Sequence, residues 1–416
     1  MSNAEKRKER LHKLIDLALA YCSATKSTLA NQFERDRSRL YPDTDNPKLD
    51  LIIALAEALE WPLDAVVEFI REGNGAPATE ADADWETLDK QTLAAHHKGE
   101  FAQMVTLAQH MLAAAQTPQQ RGRACRLEGA GWEGQGRYTH TLAAIRRGLD
   151  VTGLPASERI ALQANFAHAY YSLGDLTSAR GVAYMLIDYF GKRPPTTRTD
   201  RESQAFALYV RGNALRRMIT ASPDDWKELA GAAGQDLDVA ERLYTQMAAD
   251  YSVDYLGAIA HTCRGALLEV QVELGRREPQ AAVDEILVGV GRLDGESPWP
   301  EGDWLESYGW WCDFGANIAL RHLNGRPAQR TLAILSEKLL AIGRRLGNWA
   351  LIERAVSIEH AWRGHVAEAT GLDVPPTLDS EDLRLLAGTI GRFPQFRRPG
   401  WELIETAALI PTLKRN

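Results

Sequence analysis

The segment Gln163 to Ala183, QANFAHAYYSLGDLTSARGVA, decides how most of the chain folds. Ala167 is followed three residues later by Tyr170, then by Gly174-Asp175, and Ala179 stands nine residues beyond the tyrosine. A small residue lets two antiparallel helices approach, an aromatic ring fills the gap beside it, and Gly-Asp turns the chain between them. The spacing therefore predicts a helical hairpin. Outside it, β-branched alternation never lasts, while Ala, Leu, Glu and Arg recur with apolar spacings of three and four, so helix is expected throughout.

This hairpin resembles a tetratricopeptide repeat. Weaker echoes stand at Gly129, Trp132, Gly136 and Tyr138, and, with an insertion, at Gly212, Leu215, Ala240 and Tyr244. Gly265 with Gly275, and Gly315 with Asn324-Gly325, read as further degenerate units. Thr141 stands where alanine is usual and Ala183 where a large aromatic is usual. The resemblance runs from about Trp85 to His365 and implies five or six units, with 84–379 as the array. The tail 380–416, broken by Pro394, Pro399 and Pro411, is expected to supply capping helices.

At 416 residues, 45% hydrophobic and 25% charged, the composition is that of a folded chain longer than one ordinary core. No apolar run approaches eighteen residues, and MSNAEKRKER lacks the apolar centre of a secretory signal, so a cytoplasmic protein without membrane contact is expected. Cys22, Cys125, Cys263 and Cys312 have no CxxC partners, and reduced thiols are expected. The net charge of −8 argues against wholesale coating of nucleic acid. Its distribution is uneven: residues 1–39 hold nine Lys/Arg against five Asp/Glu, and residues 40–72 hold two against eight.

Those first 72 residues precede the stretch 73–83, GNGAPATEADA, whose small and Pro/Gly-punctuated composition is that of a linker. Lys26-Ser27-Thr28-Leu29-Ala30-Asn31-Gln32-Phe33, a turn-rich break at 41–47, and LDLIIALAEALEWPLDAVVEFI resemble the Cro-like helix-turn-helix domain of phage repressors. With no glycine between its first two helices, Lys6 to Cys22 reads either as two helices or as one continuous one. A helix from Lys26 to about Arg35 would bury Leu29 and Phe33 and turn Thr28, Asn31 and Arg35 outward, flanked by Ser27 and Gln32. Asn and Gln suit adenine edges and Arg suits guanine, while Lys26 and the cations of the first helix would hold phosphates of double-stranded DNA. A solvated polar face on a small helical domain is the competing reading.

Little points to catalysis. GAGWEG satisfies GxGxxG at Gly129, Gly131 and Gly134, but helix surrounds it where a dinucleotide site needs a preceding strand. His360 and His365 lack the HExxH glutamate, and adjacent His96-His97 cannot both face one metal from one helix. No enzyme, metal or cofactor is therefore expected. Trp304, Trp310 and Trp311 read as wedges between helices more readily than as a ligand box.

On the array, Asn165, Asn213 and Asn317 lie on first helices of hairpins near small residues. A carboxamide both donates to and accepts from a peptide backbone, and Arg211 and Arg216 suit a peptide carboxylate. The order of helix-turn-helix then tetratricopeptide array resembles the RRNPP peptide-responsive regulators and the arbitrium receptors of temperate phages. That resemblance implies an all-α transcriptional regulator of the quorum-sensing kind, a homodimer binding double-stranded DNA and a short peptide or protein effector. The rival is a tetratricopeptide interaction scaffold that binds no DNA.

Overall fold

The computed structural model describes residues 2–22, 24–59, 61, 63–72, 84–295, 299–370, 375 and 377–409. The proposed linker, 73–83, and Pro411 lie outside them. The fold is all-α, in two compact units, Met1–Asp82 and Ala83–Asn416.

The first unit opens with α1 (Asn3–Tyr21), started by a reciprocal capping box between Ser2 and Glu5. With neither glycine nor proline inside it, the stretch read as two helices or one is a single helix. After α2 (Lys26–Gln32), capped by Thr25, come a 3-10 turn (Arg37–Arg39), α3 (Leu49–Leu59) and α4 (Leu63–Glu72). Leu11, Leu14, Ile15, Leu29, Leu51, Leu55 and Val66 are fully buried in one core.

The expected helix from Lys26 to Arg35 is three residues too long. Glu34 takes φ 53°, its N–H donates to the Asn31 carbonyl, and the Arg35 N–H reaches back to Ala30 at 2.8 Å. This is a Schellman closure with glutamate in the left-handed position usually held by glycine.

Among the described residues, the second unit is a solenoid of six hairpins. These are α5 (Trp85–His97) with α6 (Phe101–Ala114), α7 (Pro118–Gly134) with α8 (Tyr138–Leu149), and α9 (Ala156–Ser172) with α10 (Leu176–Lys192). Then follow α11 (Arg198–Met218) with α12 (Trp226–Tyr251), α13 (Asp254–Glu273) with α14 (Pro279–Gly295), and α15 (Gly302–His322) with α16 (Gly325–Leu346). A long α17 (Trp349–Thr370) is followed by α18 (Ser380–Arg392), a 3-10 turn (Pro394–Phe396) and α19 (Arg397–Thr406). Two-residue strands β1 (Thr377–Leu378) and β2 (Ala408–Leu409) pair in parallel.

The residues that broke the repeat pattern have local explanations. Thr141 is buried and donates its hydroxyl to the Gly129 carbonyl at 3.2 Å, binding α8 to α7. Ala183 joins Ala167, Ala179, Val210 and Ala214 in a seam of small side chains, where a large ring would not fit between α9, α10 and α11. GAGWEG lies inside α7, and a Cβ on Gly131 would stand 2.8 Å from Val105, so the glycine serves close packing of α7 on α6. The C-terminal helices do more than cover one end of the array. Phe393 packs on Tyr138 with ring centroids 5.5 Å apart, and Arg392 lies 3.9 Å over the Trp349 ring while its Nε donates to the Gln135 carbonyl. The end of the solenoid is thereby brought against its early turns.

Candidate nucleic-acid interface and ligand cavity

On α2, buried Leu29 and Ala30 pin the helix to its core, and Lys26, Ser27, Thr28, Asn31 and Gln32 are left exposed on the other side. The Thr25 side chain accepts from the Thr28 N–H at 3.2 Å and shares a 2.8 Å hydrogen bond with its hydroxyl. Lys26 sits 4.6 Å above the Tyr41 ring. Arg35, expected to point outward, does not. Beyond the helix end its guanidinium makes two 2.9 Å bonds to the carboxylate of Asp50, and its side chain is only 13% exposed.

Four of the five cations of α1 are similarly engaged, and Lys6 is exposed with no ion pair among the described residues. Arg7 pairs with Asp45, Lys8 lies 3.8 Å from Asp43, Lys13 pairs with Glu9, and Arg10 donates to the Ile70 carbonyl. Of the cations expected to hold phosphates, Arg7 and Lys8 meet the carboxylates of the acidic loop at 43–45. Arg37 and Arg39, both exposed on the 3-10 turn after α2, were missed; neither has an ion pair among the described residues, and nor has exposed Lys48. The dense charge of RDRSR at 35–39 was the available signal.

The second unit encloses a cavity of about 1080 Å³. Its wall comes mainly from the first helices of the hairpins, α7, α9, α11 and α15, with α17 and Phe393 completing it. Asn213, Arg216 and Asn317 line this lumen, whereas Asn165 and Arg211 do not.

None of the three carboxamides is free. Asn165 donates to the Ala161 carbonyl at 2.8 Å. Asn213, 1% exposed, donates to the Tyr209 carbonyl and accepts from Arg216 Nε. Asn317 donates to Asp313 and accepts from Arg354 at 3.2 Å. Arg211 grips Asp236 with two bonds of 2.6 and 2.7 Å, and buried Arg216 pairs with Glu269. Arg211, Arg216 and Asn317 are thus struts between helices, while Asn165 and Asn213 bond within their own helix, because a polar group near a packing seam finds its partner inside the protein.

The lumen's chemistry lies instead in residues that sequence spacing did not single out. His168 Nδ1 lies 2.6 Å from Glu133, and although burial opposes its charge, that carboxylate holds its pKa above the ordinary value. Glu306 accepts from Trp310 Nε1 at 3.1 Å, and burial pushes its pKa up. Glu353 accepts from Ser357 on its own helix at 2.8 Å. Trp304 and Trp310 face the cavity, while Trp311 is a wedge stacked 4.2 Å from His261.

Among the described residues no group of three or more His, Cys, Asp or Glu could hold a metal ion, and no helix is long and apolar enough to cross a membrane. Burial raises the pKa of the Cys125, Cys263 and Cys312 thiols, which disfavours the reactive thiolate. No protein-family model matches the chain, and no curated protein sequence matches it significantly. Among solved structures it is similar to PlcR of Bacillus thuringiensis in complex with the peptide PapR7 and DNA. Identity is 12% and the TM-score 0.38, over 70% of this chain and 95% of that one, a distance that transfers no residue role from one to the other.

Proposed function

We propose that this chain is a sequence-specific DNA-binding transcriptional regulator whose solenoid receives a peptide or protein effector in its lumen. The observation that carries the reading is the exposed face of α2. Ser27, Asn31 and Gln32 stand there on a helix fixed by a buried opposite side, with Lys26, Arg37 and Arg39 around it. Asn and Gln side chains match adenine edges in a major groove, and the cations match phosphates. Two such heads in a homodimer would read half-sites about one helical turn, roughly 34 Å, apart. An effector would act by its differential affinity for two arrangements of the heads.

Selection of bound sequences from a random duplex pool by the purified full chain is the direct test. Enrichment of one motif, with affinity falling steeply as salt rises, is the expected result. The second reading, a protein-interaction scaffold, is favoured by exposed Leu17, Tyr21, Leu49, Ile53 and Leu63 on the same unit and by the pairing of Arg7 and Lys8 with aspartates. It predicts no enriched motif and no counterion-release slope.

A further inference from the structure

Resting on the reading of the lumen as an effector cavity, we infer that its ligand is a cation, and that a primary ammonium or guanidinium group of that ligand is held between Glu306 and Glu353. Glu353 is 7% exposed, lines the cavity, and has a serine hydroxyl as its hydrogen-bond donor. Glu306 lines it too, with an indole N–H as its donor. Neither forms an ion pair among the described residues. The nearest cation in sequence, Arg354, turns its Nε to Asp313 at 2.8 Å and its Nη2 to Asn317. Arg217 and Arg345, which also face the lumen, lie over the rings of Tyr171 and Trp299.

An independent feature points to a ligand at the same place. Tyr138 is 5% exposed and lines the cavity, and its hydroxyl, which opens onto that space, has no hydrogen-bond partner among the described residues. Its environment is acidic: the charges of Glu133, Glu306 and Glu353 all raise its pKa, after burial. The counter-charges there are Arg392, whose guanidinium lies over the Trp349 ring, and His168, already bonded to Glu133. Three carboxylates against one guanidinium and one imidazole still leave a net negative charge in a partly dehydrated space, which an incoming cation neutralises. The Trp304 and Trp310 rings in the wall add cation–π attraction.

The probes are spermidine and a capped pentapeptide of alanine and leucine with one central lysine, each titrated into the full chain by calorimetry and thermal melting. A capped counterpart with norleucine at the centre is the control. Spermidine and the lysine peptide should raise the melting temperature with concentration, and the norleucine peptide should bind about tenfold more weakly or not at all. Tighter binding of the lysine peptide identifies a basic side chain as the source of the cation; tighter binding of spermidine identifies a free polyamine.

Glu306→Gln with Glu353→Gln should abolish both shifts while raising the unliganded melting temperature, because two uncompensated charges leave the interior. Equal binding of the norleucine peptide overturns the cation and leaves a peptide-binding lumen standing. Absence of any binding overturns both. A shift that persists in the double variant places binding elsewhere and overturns the assignment.

Discussion

If the chain binds DNA as proposed, Asn31 and Arg37 would contribute differently. The carboxamide of Asn31 offers a donor and an acceptor on a fixed helix face, whereas Arg37 carries its charge on a short 3-10 turn beyond the helix. Asn31→Ala should weaken a selected site by about 1–3 kcal/mol and relax preference at one base pair, while Arg37→Ala should weaken all sequences alike and flatten the salt slope by about one unit. Binding curves at several salt concentrations on cognate and scrambled duplexes check both, and equal sequence-blind losses would remove α2 from the groove. The exposed side of α2 was legible in the sequence because Leu29 and Phe33 mark the buried side by spacing alone. The place of Arg35 was not, since it depends on Glu34 leaving the helix and on Asp50 arriving from α3. Asn213 and Asn317 went the same way: spacing shows which face a residue shares, and only the packed neighbours show that Arg216 and Arg354 already occupy them.

At the scale of elements, the end of α2 stores a small strain. Glu34 sits at φ 53°, where a Cβ is disfavoured, so Glu34→Gly should stabilise the first unit by about 1 kcal/mol and leave DNA affinity nearly unchanged. Denaturant melting checks it; a loss of stability would mean that the Glu34 side chain makes a contact worth more than the strain. The junction of α13 and α15 is set by His261, stacked on Trp311 and hydrogen-bonded to Ser307 at 2.8 Å. Burial, then Arg264 and Arg292, push its pKa down to about 4. Against an unfolded value of about 6.5, the unfolded chain binds the extra proton first, so this group's contribution is full above that pH and is lost as pH falls toward 4. His168, with its pKa raised, acts with the opposite sign, its contribution fading as pH rises through the raised folded value. His261→Gln should therefore flatten the acid side of a plot of melting temperature against pH over 6.5 to 4, and an unchanged slope would place the acid sensitivity elsewhere. Hairpins like α9–α10 were readable from local spacing because small and aromatic residues meet within one turn-linked pair. The lumen carboxylates were not, because Glu133, Glu306 and Glu353 come from α7, α15 and α17 and converge only when the solenoid curves.

That curvature is held across the second unit by two kinds of contact far apart in sequence. Inside the wall, Glu269 on α13 is fully buried between Arg216 of α11 and Arg321 of α15, and Asp313 of α15 holds Arg354 of α17. Removing one charge from such a network strands its partners in a dehydrated site, so Glu269→Gln should cost about 3–5 kcal/mol. At the seam, Trp349 meets Gly136 of the α7–α8 turn and Gly388 of α18, under the Arg392 guanidinium. A few side chains therefore join the end of the array to its second hairpin. Trp349→Ala should lower stability by about 3 kcal/mol, the order expected for a large aromatic lost from packing. It should also speed amide exchange in the α7–α8 turn more than in α11 or α13, since only the turn loses its distant support. Uniform acceleration through the solenoid would instead mean that the seam and the buried pairs unfold as one cooperative unit.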